Sequence, residues 1–439
     1  MLLAIYNSLN ERNNENIDIN GEEKISIEQL KNTYFYINPY KKNPDLKLIL
    51  TDDDNETFRD LFLNGKIDDN TKIGKNYYYF LDVINKKSVD DISKFYFALK
   101  HLSIVNVSLE PNDDQQRIFE SLNSKILPLL ESDKIRNYIF MDIDYDEQKI
   151  LYKDYWRKIA LNVDDISKLI RYYLTIKTNN FIPEKQLYFC FKDFMLKNKN
   201  LDARSILKEI YNYSVYMKKI TNYNKNSSKK YQQALFRLNR LDMSTIYPLI
   251  FICMDVLVDK KTSNLEIDDN DFDEIMMYIE SYIVRRNFLK LSTASLNKIF
   301  AFMPSEIYKL VNSGSSFKDA ILKTILSKTA SSRFPKDTEF KNAFSFFELY
   351  NAKSQFRKYV LDRLENYNHK ELIDVDNDIA TGKLTIEHIM PQTLSEEWKN
   401  HLGNSYESIH QKYVNTIGNL TLTAYNSEYS NLSFDEKRL

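Results

Sequence analysis

Four polar side chains near the end of the chain have the types needed to activate water beside a metal ion. Glu387 and His388 are adjacent, and Asn419 and Asn426 follow them. An imidazole is partly neutral near physiological pH, so it can accept a proton from water. A carboxylate and an amide provide the hard oxygen ligands that Mg²⁺ binds in proteins. The residue types therefore indicate metal-assisted hydrolysis as the chemistry.

Two predicted strands and a following helix would position these side chains. The segment 384–389 alternates apolar and polar residues, as half-buried strands do, and Pro391 ends it. The segment 417–423 is a second strand-like run, and Asn426 lies in the polar segment after it. An acid–histidine pair on one strand, an asparagine on the next and another on a following helix resemble the order of the ββα-metal, or HNH, nuclease site.

Further short segments of the same stretch carry a more specific resemblance. They are 386–392 (IEHIMPQ), Trp398, 402–403 (LG), His410, 418–423 (GNLTLT), 426–428 (NSE) and 433–437 (SFDEK). Together they resemble the C-terminal nuclease domain of the GmrSD-type, modification-dependent restriction endonucleases. A bare E-H-I-x-P would recur by chance, whereas its combination with G-N-L-T-L-T and N-S-E is specific.

The resemblance implies a role for each polar residue of the stretch. His388 would be the general base, and Asn419 would brace the loop that carries it. Glu387 and Asn426 would approach a divalent cation, Mg²⁺ or else Mn²⁺. The substrate would be DNA, and by family analogy DNA with modified cytosines, for example glucosylated ones.

Each of these residues also has a purely structural interpretation. His388 could be a hydrogen-bonded histidine at a strand end. Asn419 and Asn426 could be turn residues, because asparagine tolerates a left-handed backbone and bonds its own chain. His401 and His410 lie between the two predicted strands and are interpreted as surface or capping residues.

The segment between the two predicted strands should contain a helix around Trp398. The pattern Thr393-x-x-Glu396 predicts a capping box at its start. Trp398 is interpreted as the hydrophobic anchor of that helix rather than as a platform on which a base stacks.

Composition favours a largely helical chain. The 439 residues are 43% hydrophobic and include only 7 Gly and 9 Pro, and so few chain breakers favour long helices. The length suggests roughly two to four domains. We therefore predict a mainly α fold with small β elements, a multi-helix scaffold that ends in a ββα-metal motif. The predicted domains are 1–145, 146–344 and 345–439.

The first predicted domain resembles part of the ParB-like, nucleotide-binding domain of the same family. The segments 118–125 and 129–137 carry this resemblance. The family's earlier Asp-Gly-x-Gln-Arg motif is absent, and Ile126 stands where the family has glycine, so nucleotide binding is not carried over. We expect a remnant of that domain, a nuclease domain that also stops early, and, as one option, a separate subunit that supplies the nucleotide-binding part.

A basic stretch is a second feature that could contact DNA. The formal net charge is −1, and the segment 384–439 has four Lys or Arg against seven Asp or Glu, so DNA affinity must come from elsewhere. The segment 216–241 contains no Asp or Glu and interleaves tyrosines with basic residues, a combination that can follow a phosphate backbone. The alternative is a solvated loop, 224–230, between two helices whose tyrosines are core. The candidate side chains are Lys218, Lys219, Lys229, Lys230, Arg237 and Arg240.

The cysteines and the apolar runs indicate a protein without a membrane partner. Cys190 and Cys253 lie in apolar segments and are interpreted as small buried hydrophobes, too few for a disulfide framework. The longest apolar run, 246–258, is too short to span a bilayer and predicts a buried helix. We expect a cytoplasmic protein.

Two functions of different class remain open from the sequence. The first is a metal-dependent DNA endonuclease of a phage-defence, type IV restriction kind. The second is a catalytically silent binding or regulatory subunit that needs a partner with the nucleotide-binding domain.

Overall fold

Two compact units divide the chain, Met1–Asp113 and Asp114–Leu439. The computed structural model describes residues 1–12, 16–19, 23–41, 44–50, 52–65, 68, 70–104, 106, 108, 110, 118, 129–141, 143–222, 230–241, 243–258, 265, 267–292, 296–425, 429 and 431–438. In these ranges the predicted architecture, mainly helical with small β elements, is confirmed. The predicted domain boundaries at residues 145 and 344 stay predictions.

The first unit packs short helices around a small apolar core. Ile5, Leu30 and Ile92 are buried in it. The guanidinium of Arg12 donates to the carbonyl oxygens of Ile84 and Asn85 at 3.2 and 2.7 Å, and so satisfies acceptors that a helix end leaves free. Its elements are α1 (Leu2–Glu11), β1 (Asn16–Ile19), β2 (Glu23–Ser26), α2 (Ile27–Tyr34), α3 (Asp52–Asn64), α4 (Lys72–Asn85) and α5 (Val89–Lys100), with β1 and β2 antiparallel.

The second unit is helical up to residue 380 and then adds a two-stranded sheet. Acidic caps begin several of its helices; for example, the Asp202 carboxylate accepts the Ser205 N–H at 2.7 Å. Its helices are α6 (Glu131–Phe140), α7 (Tyr145–Leu151), α8 (Arg157–Asn162), α9 (Ile166–Thr178), α10 (Leu187–Lys197), α11 (Ala203–Thr221), α12 (Lys230–Asn239), α13 (Tyr247–Val258), α14 (Asp269–Phe288), α15 (Leu296–Asn312), α16 (Phe317–Leu326), α17 (Asp337–Phe346), α18 (Ser354–Glu365), α19 (Val375–Ala380), α20 (Glu396–Leu402), α21 (Tyr406–Tyr413) and α22 (Phe434–Arg438), and its strands are β3 (Thr385–His388) and β4 (Leu420–Thr423).

Helix α13 lies at the centre of the second unit, as the apolar run 246–258 predicts. Its side chains are buried on every face, and the Phe251 ring stacks on Tyr213 with centroids 5.2 Å apart. Burying one such ring contributes about 1.5–3 kcal/mol. Cys253 is buried as expected, whereas Cys190 is only partly buried. None of the helices in the described ranges combines the length and the apolar run that crossing a bilayer requires.

Buried ion pairs join α12 to the helices that lead to the sheet. The Arg240 guanidinium, just after α12, donates to Asp362 at 2.6 Å and to Asp376 at 2.7 Å. Arg237 pairs with Glu280 at 2.9 Å. Arg240 is only 4% exposed, so its charge is compensated inside the protein, as a buried charge must be. Both contacts compete with the phosphate contacts that the sequence predicts for Arg237 and Arg240.

Replacing Arg240 by alanine should strongly destabilise the second unit, because Asp362 would stay buried without this counter-charge. Removing one partner of a buried pair costs about 3–5 kcal/mol, whereas an exposed pair contributes about 0–1 kcal/mol. Thermal unfolding followed by circular dichroism measures the effect. R204A is the matched control, because Arg204 pairs with Glu147 at the surface. Equal melting temperatures for R240A and R204A would contradict a structural role for Arg240.

Candidate active site

An antiparallel strand pair brings Glu387, His388 and Asn419 together. In the register of β3 and β4, Glu387 lies opposite Thr421 and His388 lies opposite Leu420. Both strands are shorter than the predicted 384–389 and 417–423. Asn419 belongs to a single 3-10 turn directly before β4, and its carbonyl accepts the Ile389 N–H at 2.9 Å. The candidate residues therefore meet where the strand pair ends.

The side chain of Asn419 joins the loop after His388 to the loop before β4. Its Oδ1 accepts the Met390 N–H at 2.7 Å, and its Nδ2 donates to the carbonyl oxygens of Met390 at 2.9 Å and Val414 at 2.8 Å. The amide is buried, so these bonds satisfy backbone groups with no regular secondary structure to pair them.

His410 supports the same loop from a second side. His410 belongs to α21, and its Nε2 lies 2.9 Å from the carbonyl oxygen of Pro391 in the loop. From the sequence, His410 is expected to be a surface or capping residue. In the structure its partly buried ring contacts backbone across a long sequence separation.

His388 is enclosed by an aromatic ring and an amide. It is 7% exposed, its ring lies edge-on to Tyr350 with centroids 4.4 Å apart, and its Nε2 is 3.4 Å from Asn415 Oδ1. Burial lowers the pKa of His388 below its ordinary value, although the Asn415 contact and the Glu387 charge oppose this change. The imidazole is therefore neutral at neutral pH and can accept a proton.

Glu387 forms a buried ion pair with Lys437. The Lys437 ammonium is 2.6 Å from Glu387 Oε1 and also donates to the His388 carbonyl oxygen at 3.1 Å. The two side chains are only 8% and 5% exposed. The residue predicted as a metal ligand thus already carries a positive partner on one oxygen.

Trp398 holds the helix that presents Lys437. The indole is buried, its Nε1 donates to the Leu432 carbonyl at 2.9 Å, and its ring lies 6.3 Å from that of Phe434 at the start of α22. The position agrees with an anchor. The predicted Thr393 capping box is wrong, because α20 begins after Ser395, whose hydroxyl accepts the Trp398 N–H at 3.3 Å. His401 lies against the Phe434 ring with centroids 5.8 Å apart.

A cavity of about 330 Å³ opens beside these residues. Lys437 contacts Glu387 Oε1, and among the described residues Oε2 has no hydrogen-bond partner. Mg²⁺ is commonly held by one or two carboxylates together with waters and phosphate oxygens, and the donor chemistry of the cavity fits that description. The cavity is lined by Tyr350, Ile386, Glu387, His388, Pro391, Gln392, Thr393 and Asn431.

The predicted ligand set is incomplete in the described part of the chain. Asn426 lies outside the described residues. Within them, no group of three or more His, Cys, Asp or Glu is placed to hold a metal ion. Of the described residues that line the cavity, Glu387 is the one carboxylate.

The predicted DNA-contacting lysines divide between described and undescribed parts of the chain. Lys218 is exposed on α11, and its ammonium donates to Asn162 at 3.2 Å. Lys219 is partly exposed on the same helix. Lys229 and the side chain of Lys230 lie outside the described residues, as does the segment 224–229 of the alternative loop.

Three residues of the site are not indicated as functional candidates by the sequence patterns. Asn415, Tyr350 and Lys437 contact His388 or Glu387. Lys437 belongs to the family-like segment 433–437, which is the one signal that could have found it. Neither Asn415 nor Tyr350 stands at a spacing that indicates a contact with His388.

Comparison with known proteins places the candidate site in a domain family. Residues 334–439 match the family described as GmrSD restriction endonucleases, C-terminal domain. This part of the chain is thus similar to the C-terminal domain of a class of nucleases. The resemblance predicted for residues before 334 stays a prediction.

Two curated relatives are similar over longer segments. The chain is 25% identical over 299 residues to reticulocyte-binding protein homolog 1 of Plasmodium falciparum (isolate 3D7), covering 61% of this chain and 10% of that protein. It is 29% identical over 202 residues to uncharacterized protein L176 of Acanthamoeba polyphaga mimivirus, covering 43% of each. The chain thus spans less than half the length of either relative.

Replacing Asn419 by alanine should destabilise the second unit, because it leaves one backbone donor and two backbone acceptors without partners. Each buried group left unpaired costs about 1–3 kcal/mol. Thermal unfolding compares N419A with N400A, in which an exposed helical asparagine is removed. A melting temperature of N419A no lower than that of N400A would mean that the loop does not depend on this amide.

Proposed function

We propose that this chain is a metal-dependent DNA endonuclease that hydrolyses phosphodiester bonds with His388 as the general base. One observation carries the proposal. In a domain of the GmrSD restriction endonuclease family, a neutral imidazole and a carboxylate line one cavity, and Asn419 fixes the loop beside them. The order β3, β4, α22 along the chain supports the ββα-metal interpretation.

His388 would take a proton from the attacking water. If the Nε2 hydrogen is donated to Asn415, Nδ1 keeps the lone pair that accepts the proton. The edge-on Tyr350 ring restricts rotation of the imidazole. As the proton leaves, the water oxygen bonds to phosphorus and the ester oxygen departs with its electron pair. His388 would then carry the proton until solvent removes it.

A divalent cation, Mg²⁺ or Mn²⁺, would be held by Glu387 Oε2 and the predicted ligand Asn426. When bound, such an ion neutralises charge on the phosphate oxygens. The remaining cavity volume would admit the waters that Mg²⁺ keeps.

The substrate we propose is DNA with modified cytosines, in the manner of type IV, modification-dependent restriction. The family name and the resemblance support this choice. Ile126 stands where the family has glycine in the nucleotide-binding domain, and the cleavage assay below is run with and without nucleotide. A separate subunit that supplies that domain is compatible with the proposal.

One observation favours the second candidate, a catalytically silent binding or regulatory subunit. The carboxylate expected to hold the metal is already neutralised by Lys437, and the described residues form no cluster of charged ligands. A silent subunit would keep this pair as a structural link between β3 and α22. Cleavage assays separate the two functions.

H388A should lose cleavage of plasmid or phage DNA by about a hundred- to ten-thousand-fold, because that is the usual contribution of a general base. The assay contains Mg²⁺ or Mn²⁺, with and without nucleotide, and compares unmodified DNA with DNA that carries glucosylated cytosines. H369A is the matched control, because His369 is exposed and outside the cavity.

Three outcomes decide between the candidates. Loss of cutting in H388A alone supports the general-base assignment. Full activity in H388A rejects it. No cutting of any DNA by the wild-type chain, with either metal and with or without nucleotide, favours the silent subunit.

The double variant K218A/K219A should bind DNA more weakly and with a smaller salt dependence. Each lost phosphate contact lowers the slope of log affinity against log salt by about 0.9, so a decrease of about 1–2 is expected. K208A is the control, because Lys208 is an exposed lysine on the same helix. A slope that matches that of K208A would remove α11 from the predicted DNA interface.

A further inference from the structure

We propose that Lys437 is the built-in counter-cation of the candidate active site and competes with a divalent ion for Glu387. The inference rests on the proposed metal-dependent function, and it names the residue that would set metal affinity. The Lys437 ammonium lies 2.6 Å from Glu387 Oε1 and 3.1 Å from the His388 carbonyl oxygen.

Charge balance in the buried pair supports the competition. Lysine is rarely so fully buried unless it is paired, and these two side chains are 5% and 8% exposed. With Lys437 in place, an arriving divalent cation meets a carboxylate whose charge is already compensated. The Lys437 ammonium also repels the cation at short range. Repulsion between cations is stronger inside a protein than in water, because the effective dielectric constant is lower.

The ion pair can open without undocking α22. Phe434 contacts Trp398, and the Trp398 indole donates to the Leu432 carbonyl. The Ser433 hydroxyl accepts the Glu436 N–H and donates to the Glu436 carboxylate. None of these contacts includes Glu387 or the Lys437 ammonium. A lysine side chain is also flexible enough to leave one acceptor and keep another, here the His388 carbonyl oxygen.

The test measures Mn²⁺ binding to the full chain in the absence of DNA, by electron paramagnetic resonance of free Mn²⁺. K437M should bind Mn²⁺ about tenfold or more tightly than wild type, which corresponds to about 1.4 kcal/mol. K437R keeps a permanent charge, so its affinity should stay close to the wild-type value. K437Q, which retains a hydrogen-bond donor without the charge, carries the same expectation as K437M and decides the matter if K437M does not fold.

Two further variants place the effect at Glu387. E387Q should bind Mn²⁺ more weakly than wild type, since the carboxylate is gone. E387Q/K437M should bind Mn²⁺ no more tightly than E387Q. K399M is the matched control, because Lys399 forms a more exposed pair with Glu396 in the same domain, and its Mn²⁺ affinity should equal that of wild type.

Several results would overturn the inference. The first is that K437M and K437Q bind Mn²⁺ no more tightly than wild type. The second is that the gain in Mn²⁺ affinity persists in E387Q/K437M. The third is that K399M shows an equal gain in Mn²⁺ affinity. DNA cleavage by the same preparations keeps the two proposals apart. If H388A loses cleavage while K437M gains no Mn²⁺ affinity, the competition fails and the general base stands. If H388A cuts normally while K437M gains affinity, the opposite holds.

Discussion

The geometry of the candidate site depends on one constraint, that buried backbone groups must be hydrogen-bonded even where the chain is irregular. The loop after His388 leaves β3 at once and has no strand partner beyond residue 389. The Asn419 amide replaces the missing strand, because it offers one acceptor and two donors in a plane. It joins Met390 and Val414, residues that are close only in the folded chain.

The buried ion pairs of the helical scaffold and of the candidate site differ in how fully their charged groups are paired. Arg240, Asp362 and Asp376 form a scaffold cluster in which the guanidinium meets two carboxylates, so its donors are used within the protein. The Glu387–Lys437 pair leaves one carboxylate oxygen without a partner among the described residues and faces a cavity. Buried pairs add little net stability over apolar side chains. The position of the Glu387–Lys437 pair at the edge of a cavity therefore fits the proposed exchange of the ammonium for a metal ion better than a role in stability.

Local sequence patterns predict the features that depend on local order. The alternation in 384–389 indicates β3, the apolar run 246–258 indicates α13, and the scarcity of Gly and Pro indicates the helical scaffold. The same patterns place the cap of α20 at Thr393 instead of Ser395, because both hydroxyls precede the helix and only the backbone conformation decides between them. The contacts of His388 with Asn415 and of Glu387 with Lys437 join residues far apart in sequence, so no spacing carries a signal for them. Asn426 lies outside the described residues, and its role stays a prediction.

The same ion pair bears on how an acidic domain could accept a polyanion. The segment 384–439 has an excess of carboxylates, and a free Glu387 beside His388 would repel an incoming phosphate. Lys437 cancels that charge at the position where the phosphate would have to approach. A divalent ion would do the same and more, since it carries twice the charge. If the proposed function holds, Lys437 compensates the charge of Glu387 while DNA approaches and the metal is absent. When the metal binds, Glu387 exchanges the Lys437 ammonium for the metal ion. Weaker metal binding in the absence of DNA is then a consequence of the arrangement that allows the substrate to approach.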